Sequence, residues 1–196
     1  MSDMSLYDRR EFMKTFLFGL GGASLLFNCT DTISRWRYFT EEEAELVIAI
    51  CEQIVPADQD PGATDAFVVN FIDKQLVSYY ERHQNMYRVC LGAFQKSTNT
   101  LFSKNFQSLD WDTQTKMLEQ TEQGDVPGEH WAPYSPGQFF RMIRDHAMQG
   151  FYGNPRHGGN KDFASYRMIG MSYPQIIGQN RYRWLPDTKV NQLEFK

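Results

Sequence analysis

The side chains best suited to ligating a metal or acting as a nucleophile are four histidines and three cysteines: His83, His130, His146, His157, Cys29, Cys51 and Cys90. No two histidines stand three or four residues apart, so no helix offers a metal two imidazoles from one face. Neither Cys-x-x-Cys nor the Cys-x-x-Cys-His of haem attachment is present. Cys51 and Cys90 each fall on the apolar face of a predicted helix, which suits a disulfide in an oxidising compartment or two buried thiols acting as small apolar residues. Asp145 and His146 are adjacent, and neighbours on a helix diverge by about 100°. They read as a surface salt bridge or cap rather than a catalytic dyad. The run Asp58-Gln59-Asp60-Pro61-Gly62 lacks the regular oxygen spacing and distal Glu of a calcium loop, and reads as a solvated turn. Gly19-Leu20-Gly21-Gly22 and Gly150-Phe151-Tyr152-Gly153 are as glycine-dense as nucleotide loops, but neither follows a predicted strand. The sequence therefore assigns this chain no catalytic, cofactor-binding or metal-binding residue.

The elements that would position these groups read as helices, giving an all-α expectation: about five helices over 38–151, then an irregular loop and extended tail over 152–196. Thr40-Glu41-Glu42-Glu43 is a capping box that opens a first helix with Val47, Ile50, Cys51 and Ile54 facing inward. Pro56 stops it, and Thr64 or Asp65 starts a second helix with an inner stripe of Val68, Phe71, Ile72, Gln75, Leu76 and Tyr79. A third, over about 83–103, buries Met86, Val89, Cys90, Ala93, Phe94 and Leu101. Asp110 caps a short fourth helix that ends at Gly124. Ser135-Pro136-Gly137-Gln138 is a second start signal, with a Ser cap, Pro in the first turn and Gln at the third position. Phe139, Phe140, Ile143, Ala147 and Gly150 form the stripe that follows. Net charge is −4, with no concentrated basic face, so a nucleic-acid partner is not expected. Aromatic residues reach 15%, enough for a packed core or a large interface.

The amino-terminal stretch carries a different message. Arg9-Arg10-Glu11-Phe12-Met13-Lys14 stands directly before an apolar run from Thr15 to Phe27. The layout resembles a twin-arginine export signal, with Arg9, Arg10, Phe12 and Lys14 as its recognition residues and 1–30 as the signal segment. The apolar run is about 13 residues, short for a bilayer core of about 30 Å. Such a signal implies export in the folded state to the periplasm by the twin-arginine translocase. Attachment to the membrane through the segment itself, or through a lipid on Cys29, stays open.

Four further pieces join this signal in a resemblance to the small subunit (subunit 3, or gamma) of gluconate 2-dehydrogenase-type complexes. They are Ile54-Val55-Pro56-Ala57-Asp58 with Pro61-Gly62-Ala63, then Phe71-Ile72-Asp73, then Gly150-Phe151-Tyr152-Gly153-Asn154-Pro155 with Gly158-Gly159-Asn160, and finally Ile169-Gly170 with Tyr173-Pro174. His157 stands where the family usually has Tyr, and Tyr166 where it often has Trp. The resemblance implies a heteromeric dehydrogenase oxidising a sugar, polyol or glycoside. Its large subunit is similar to the glucose–methanol–choline oxidoreductases and carries FAD, and a cytochrome c subunit often takes the electrons. The small subunit would hold no cofactor, stabilise the flavoprotein and escort it through export.

The partner-docking candidates are Phe151, Tyr152, Arg156, His157, Gly158, Gly159, Asn160 and Trp184. Glycines allow close backbone approach, Asn160 both donates and accepts, and the aromatic residues and arginines are the types that dominate interface hot spots. An internal turn packing the tail onto the last helix is the competing reading of the Gly-Gly-Asn stretch. Two other functions remain open: a periplasmic lipoprotein without an enzyme partner, and a stand-alone periplasmic oxidoreductase.

Overall fold

The computed structural model describes residues 35–171. The signal residues, Cys29 and Trp184 lie outside that range. Among the described residues there are six α-helices, four short 3-10 turns and no strand, so the all-α expectation holds. No helix there is long and apolar enough to cross a membrane.

Helix α1, Glu41–Ile54, begins at the capping box read from the sequence: Glu43 N donates to Thr40 Oγ1 at 3.2 Å, and Thr40 N donates to the Glu43 carboxylate at 3.0 Å. It ends at Ile54, two residues before Pro56, with Val55 as the cap in the non-helical conformation that a following proline favours. Glu52 then organises the following loop, accepting from Ala57 N at 2.9 Å, Thr64 N at 2.9 Å and Thr64 Oγ1 at 2.6 Å. Thr64 is thus a loop anchor. Helix α2, Val68–Leu76, starts several residues later than expected, after Phe67 in the left-handed region at φ 57°.

Helix α2 also stops earlier than its stripe suggested. Tyr80 N turns back to Gln75 O at 2.8 Å, and Ser78 Oγ donates to Lys74 O at 2.9 Å. That turn shifts the ring register by one residue: Tyr80 is buried, while Tyr79 is left 72% exposed. Helix α3, Gln84–Phe102, buries Tyr87, Cys90, Leu91, Ala93 and Phe94. Met86 and Val89 are only half-buried and Leu101 is exposed. Cys51 and Cys90 are both free, buried thiols.

Helix α4, Trp111–Gln123, is capped by Asp110, which accepts from Thr113 N at 3.0 Å, and closes at Gly124 with φ 84°. The loop that follows is pinned by buried Trp131, whose indole donates to Ser97 Oγ at 3.1 Å while that hydroxyl donates to Pro127 O at 3.1 Å. Helix α5, Pro136–Tyr152, opens with the Ser135–Gln138 capping box. It is the central element, packing against α1, α2, α3 and α4. Its inward face is Phe139, Met142, Ile143, His146, Ala147, Gly150 and Phe151, with Phe140 half-buried beside it. Each large apolar side chain so buried contributes about 1.5–3 kcal/mol relative to exposure.

Of the expected loop and tail over 152–196, residues 172–196 lie outside the described range; up to Met171 the chain stays on the body. Residues 153–163 form a clasp over α2, and α6, Ala164–Met168, packs on α5. Three side chains of α2 take three successive carbonyls of the clasp. Lys74 Nζ donates to Arg156 O at 3.1 Å, Gln75 Nε2 to His157 O at 3.4 Å, and Asn70 Nδ2 to Gly158 O at 2.6 Å. The other end of the described chain is fixed to the same helix. Buried Asp73 accepts the backbone N–H groups of Arg37, Tyr38 and Phe39 at 2.9–3.2 Å. Arg37 Nη1 reaches Asn70 Oδ1 at 3.4 Å.

Candidate docking groove

The carboxyl-terminal ends of α2 and α5 diverge to leave an open groove of about 680 Å³. Phe71 and Gln75 come from α2, Tyr79 and Tyr80 from the turn after it, and Met148, Gln149 and Tyr152 from α5. Gly153 and His157 of the clasp close one end. Three exposed apolar side chains line it together: Tyr79 at 72%, Met148 at 41% and Tyr152 at 40%. Exposed apolar residues scattered singly need no explanation, but a contiguous cluster marks a binding surface.

A stack of rings supports the groove floor from behind. Tyr80 lies flat on His146, centroids 4.0 Å apart and planes 9° from parallel. His146 Nδ1 shares a hydrogen bond of 3.0 Å with the buried Tyr87 hydroxyl, and His83 packs edge-on against it at 5.2 Å. The Tyr80 hydroxyl donates to Gln149 Oε1. Burial pulls the His146 pKa down to about 4, with the neighbouring His83 adding to the effect, so the ring is neutral near pH 7. The surface-salt-bridge reading fails for His146, although Asp145 does pair with Arg144 at 3.3 Å. The reason is helical phase: Ile143, His146 and Gly150 share a face, and position 146 is core. That spacing was visible in the sequence, and an Asp neighbour obscured it.

Burial also raises the Cys90 thiol to about 12 and pushes Cys51 upward more strongly, so neither is poised as a nucleophile. Among the described residues no three His, Cys, Asp or Glu side chains converge to hold a metal. Asp58 accepts from Asp60 N at 2.8 Å, which is a local turn.

The docking candidates separate into two groups. Phe151 is 1% exposed and Asn160 is completely buried, with Gly159 beside it. A Cβ at Gly159 would lie 2.2 Å from Gly150 O and 3.0 Å from Phe71 Cβ. Only a residue without a side chain fits between two backbones this close. Asn160 Nδ2 donates to Gly153 O at 2.8 Å, and its Oδ1 accepts from Ser165 N at 2.9 Å. These three residues are internal, because the Gly-Gly-Asn stretch closes the fold on itself. Gly158 (φ 105°) is half-buried against Asn70 and serves the same closure. Tyr152 and His157 line the groove, and Arg156 stands exposed beside it. Sequence reading missed Tyr79, Tyr80 and Met148 as groove residues; the two tyrosines reach it because α2 ends early, and Met148 from α5.

The family model described as Gluconate 2-dehydrogenase subunit 3 matches residues 41–173. The chain belongs to this family. No curated protein and no solved structure matches it. As a subunit 3 chain it is a small subunit of a dehydrogenase complex. The matched span covers all six helices, so the groove and the clasp both lie within the part that defines the family. The arginine pair and Trp184 lie outside that span.

Proposed function

We propose that this chain is the non-catalytic small subunit of a periplasmic, FAD-dependent sugar, polyol or glycoside dehydrogenase. It stabilises a glucose–methanol–choline-type flavoprotein and carries it, already folded around its flavin, through the twin-arginine translocase. A cytochrome c subunit completes the electron path in this assembly. The observation that carries the reading is the groove: exposed Tyr79, Met148 and Tyr152 around a pre-organised aromatic floor, on a chain whose family name is that of a subunit. Tyr152, Arg156 and His157 are the docking residues retained from the sequence. The Arg9-Arg10 pattern supports export as a folded pair, because the address is read by a receptor rather than threaded as an anchor.

The test is fractionation of cells expressing the flavoprotein with either the wild-type chain or an Arg9→Lys, Arg10→Lys double variant. The wild type delivers active flavoprotein to the periplasm. The variant leaves it in the cytoplasm, still bound to the small subunit. Full periplasmic activity with the variant overturns the escort role.

A further inference from the structure

We infer that the groove receives an acidic segment of the dehydrogenase subunit, anchored by one aromatic or long aliphatic side chain. This rests on the small-subunit reading and adds the chemistry of what docks. The apolar half of the argument is the floor. Tyr80 is held on both sides, by its hydrogen bond to Gln149 and its stack on His146, and His146 is itself tied to Tyr87. Such a surface loses little conformational freedom when a side chain is laid on it, so most of the apolar contact is realised as affinity.

The charged half comes from the rim. Arg82 lies over the ring of the lining residue Tyr79 at 5.7 Å. Arg156 Nε donates to the lining residue His157 Nε2 at 3.0 Å, and Lys74 Nζ donates to the Arg156 carbonyl at 3.1 Å. Among the described residues none of these three cations pairs with a carboxylate, a state they share with other surface cations such as Lys96 and Arg141, so their charge is open to a partner. Glu81, next to Arg82, makes no ion pair either. The two rim histidines sense the same imbalance. His157 is held below its ordinary pKa by burial and then by Arg156 and Lys74, and His83 by burial and then by Arg82. Cations thus stand beside two lining residues of an apolar groove, Arg82 at Tyr79 and Arg156 with Lys74 at His157, on a chain whose net charge is −4. Carboxylates flanking an apolar anchor are the complement of that pattern, and rim charges of this kind act mainly on the association rate.

A small polar ligand suits the groove less well. The side-chain amides of Gln75 and Gln149 are already engaged, with His157 O and the Tyr80 hydroxyl. A nucleic acid would need a basic tract rather than three cations beside one apolar cleft.

The test uses the full-length chain and the flavoprotein it is proposed to accompany, with association kinetics read at low and high salt. Arg82→Glu with Arg156→Glu is expected to slow association at least tenfold at low salt and to flatten its salt dependence. Tyr79→Ala with Tyr152→Ala is expected to speed dissociation at least tenfold with little change in association. All four side chains are exposed, and thermal melting near the wild-type value confirms folding. Arg82→Gln with Arg156→Gln gives a milder version, with a smaller drop in association rate. Wild-type kinetics from both pairs, while the wild-type complex forms, overturns the groove and leaves the small-subunit reading standing. Faster association after charge reversal overturns the acidic partner. Failure of the wild-type chain to bind the flavoprotein at all overturns both readings.

Discussion

Replacing Asn160 tests whether the Gly-Gly-Asn stretch is an internal clasp. Its side chain is completely buried and makes two hydrogen bonds of unequal worth. The Ser165 N–H it satisfies is buried, so losing that partner costs the full desolvation penalty, about 2 kcal/mol. Gly153 O is only partly buried, and water recovers part of the loss, leaving about 1 kcal/mol. Asn160 also sits in the left-handed region at φ 45°, where alanine costs about 1 kcal/mol more. Asn160→Ala should therefore destabilise the domain by about 4 kcal/mol, a large share of a total of roughly 5–15. Asn160→Gly keeps the backbone geometry and should lose only the hydrogen-bond part, about 3 kcal/mol. Urea unfolding followed by far-UV circular dichroism measures both. Asn160→Ala within about 1 kcal/mol of wild type would refute the clasp, because a buried N–H cannot be orphaned so cheaply.

Gly159→Ala should cost about 3 kcal/mol, since the new Cβ meets backbone that has no room to move, and the same urea assay reads it. Lowering the pH should destabilise the fold through His146. Its pKa is about 4 when folded against 6.5 ordinarily, so the unfolded chain binds the extra proton. The contribution is complete above about pH 6.5 and is lost as pH falls towards 4, amounting to about 3 kcal/mol. His146→Gln should reduce that slope in unfolding free energy between pH 7 and pH 4.5, and an unchanged slope would put the titration elsewhere. Cys51 and Cys90 should resist a thiol reagent at pH 8 in the native domain and react only after denaturation, as absorbance of the released chromophore shows.

Three helix starts were legible because their chemistry is local. Thr40 with Glu43, Asp110 with Thr113, and Ser135 with Gln138 each satisfy backbone groups three residues away, so the sequence writes out both partners. The groove was not legible, because it depends on where α2 stops, and that is set by the turn through Ser78 and Tyr80. A helix continued through Tyr79 would have kept it on the inner stripe with Ile72 and Leu76. The clasp was half legible. Gly, Asn and Pro announced a turn, but its hydrogen-bond partners Asn70, Lys74 and Gln75 stand more than eighty residues earlier in the chain. Only the fold brings them together, which is why Phe151 and Asn160 read as surface candidates and proved internal. Asp73 was noticed as part of a motif, yet its role as acceptor for three backbone N–H groups became visible only with residues 37–39 beside it.

Asn70 touches both extremes of the folded body, Arg37 on one side and Gly158 on the other. During synthesis α2 emerges from the ribosome long before the clasp that covers it. Until then the nascent domain displays Val68 and Phe71, the side chains against which Gly150 and Gly159 later close. Closing so distant a contact is slow and leaves apolar surface open to holdase chaperones in the interval. A chain broken off before residue 158 would keep its intact amino-terminal end on a body that cannot shut. Closure of the clasp is therefore the step at which this apolar surface of α2 passes from exposed to covered.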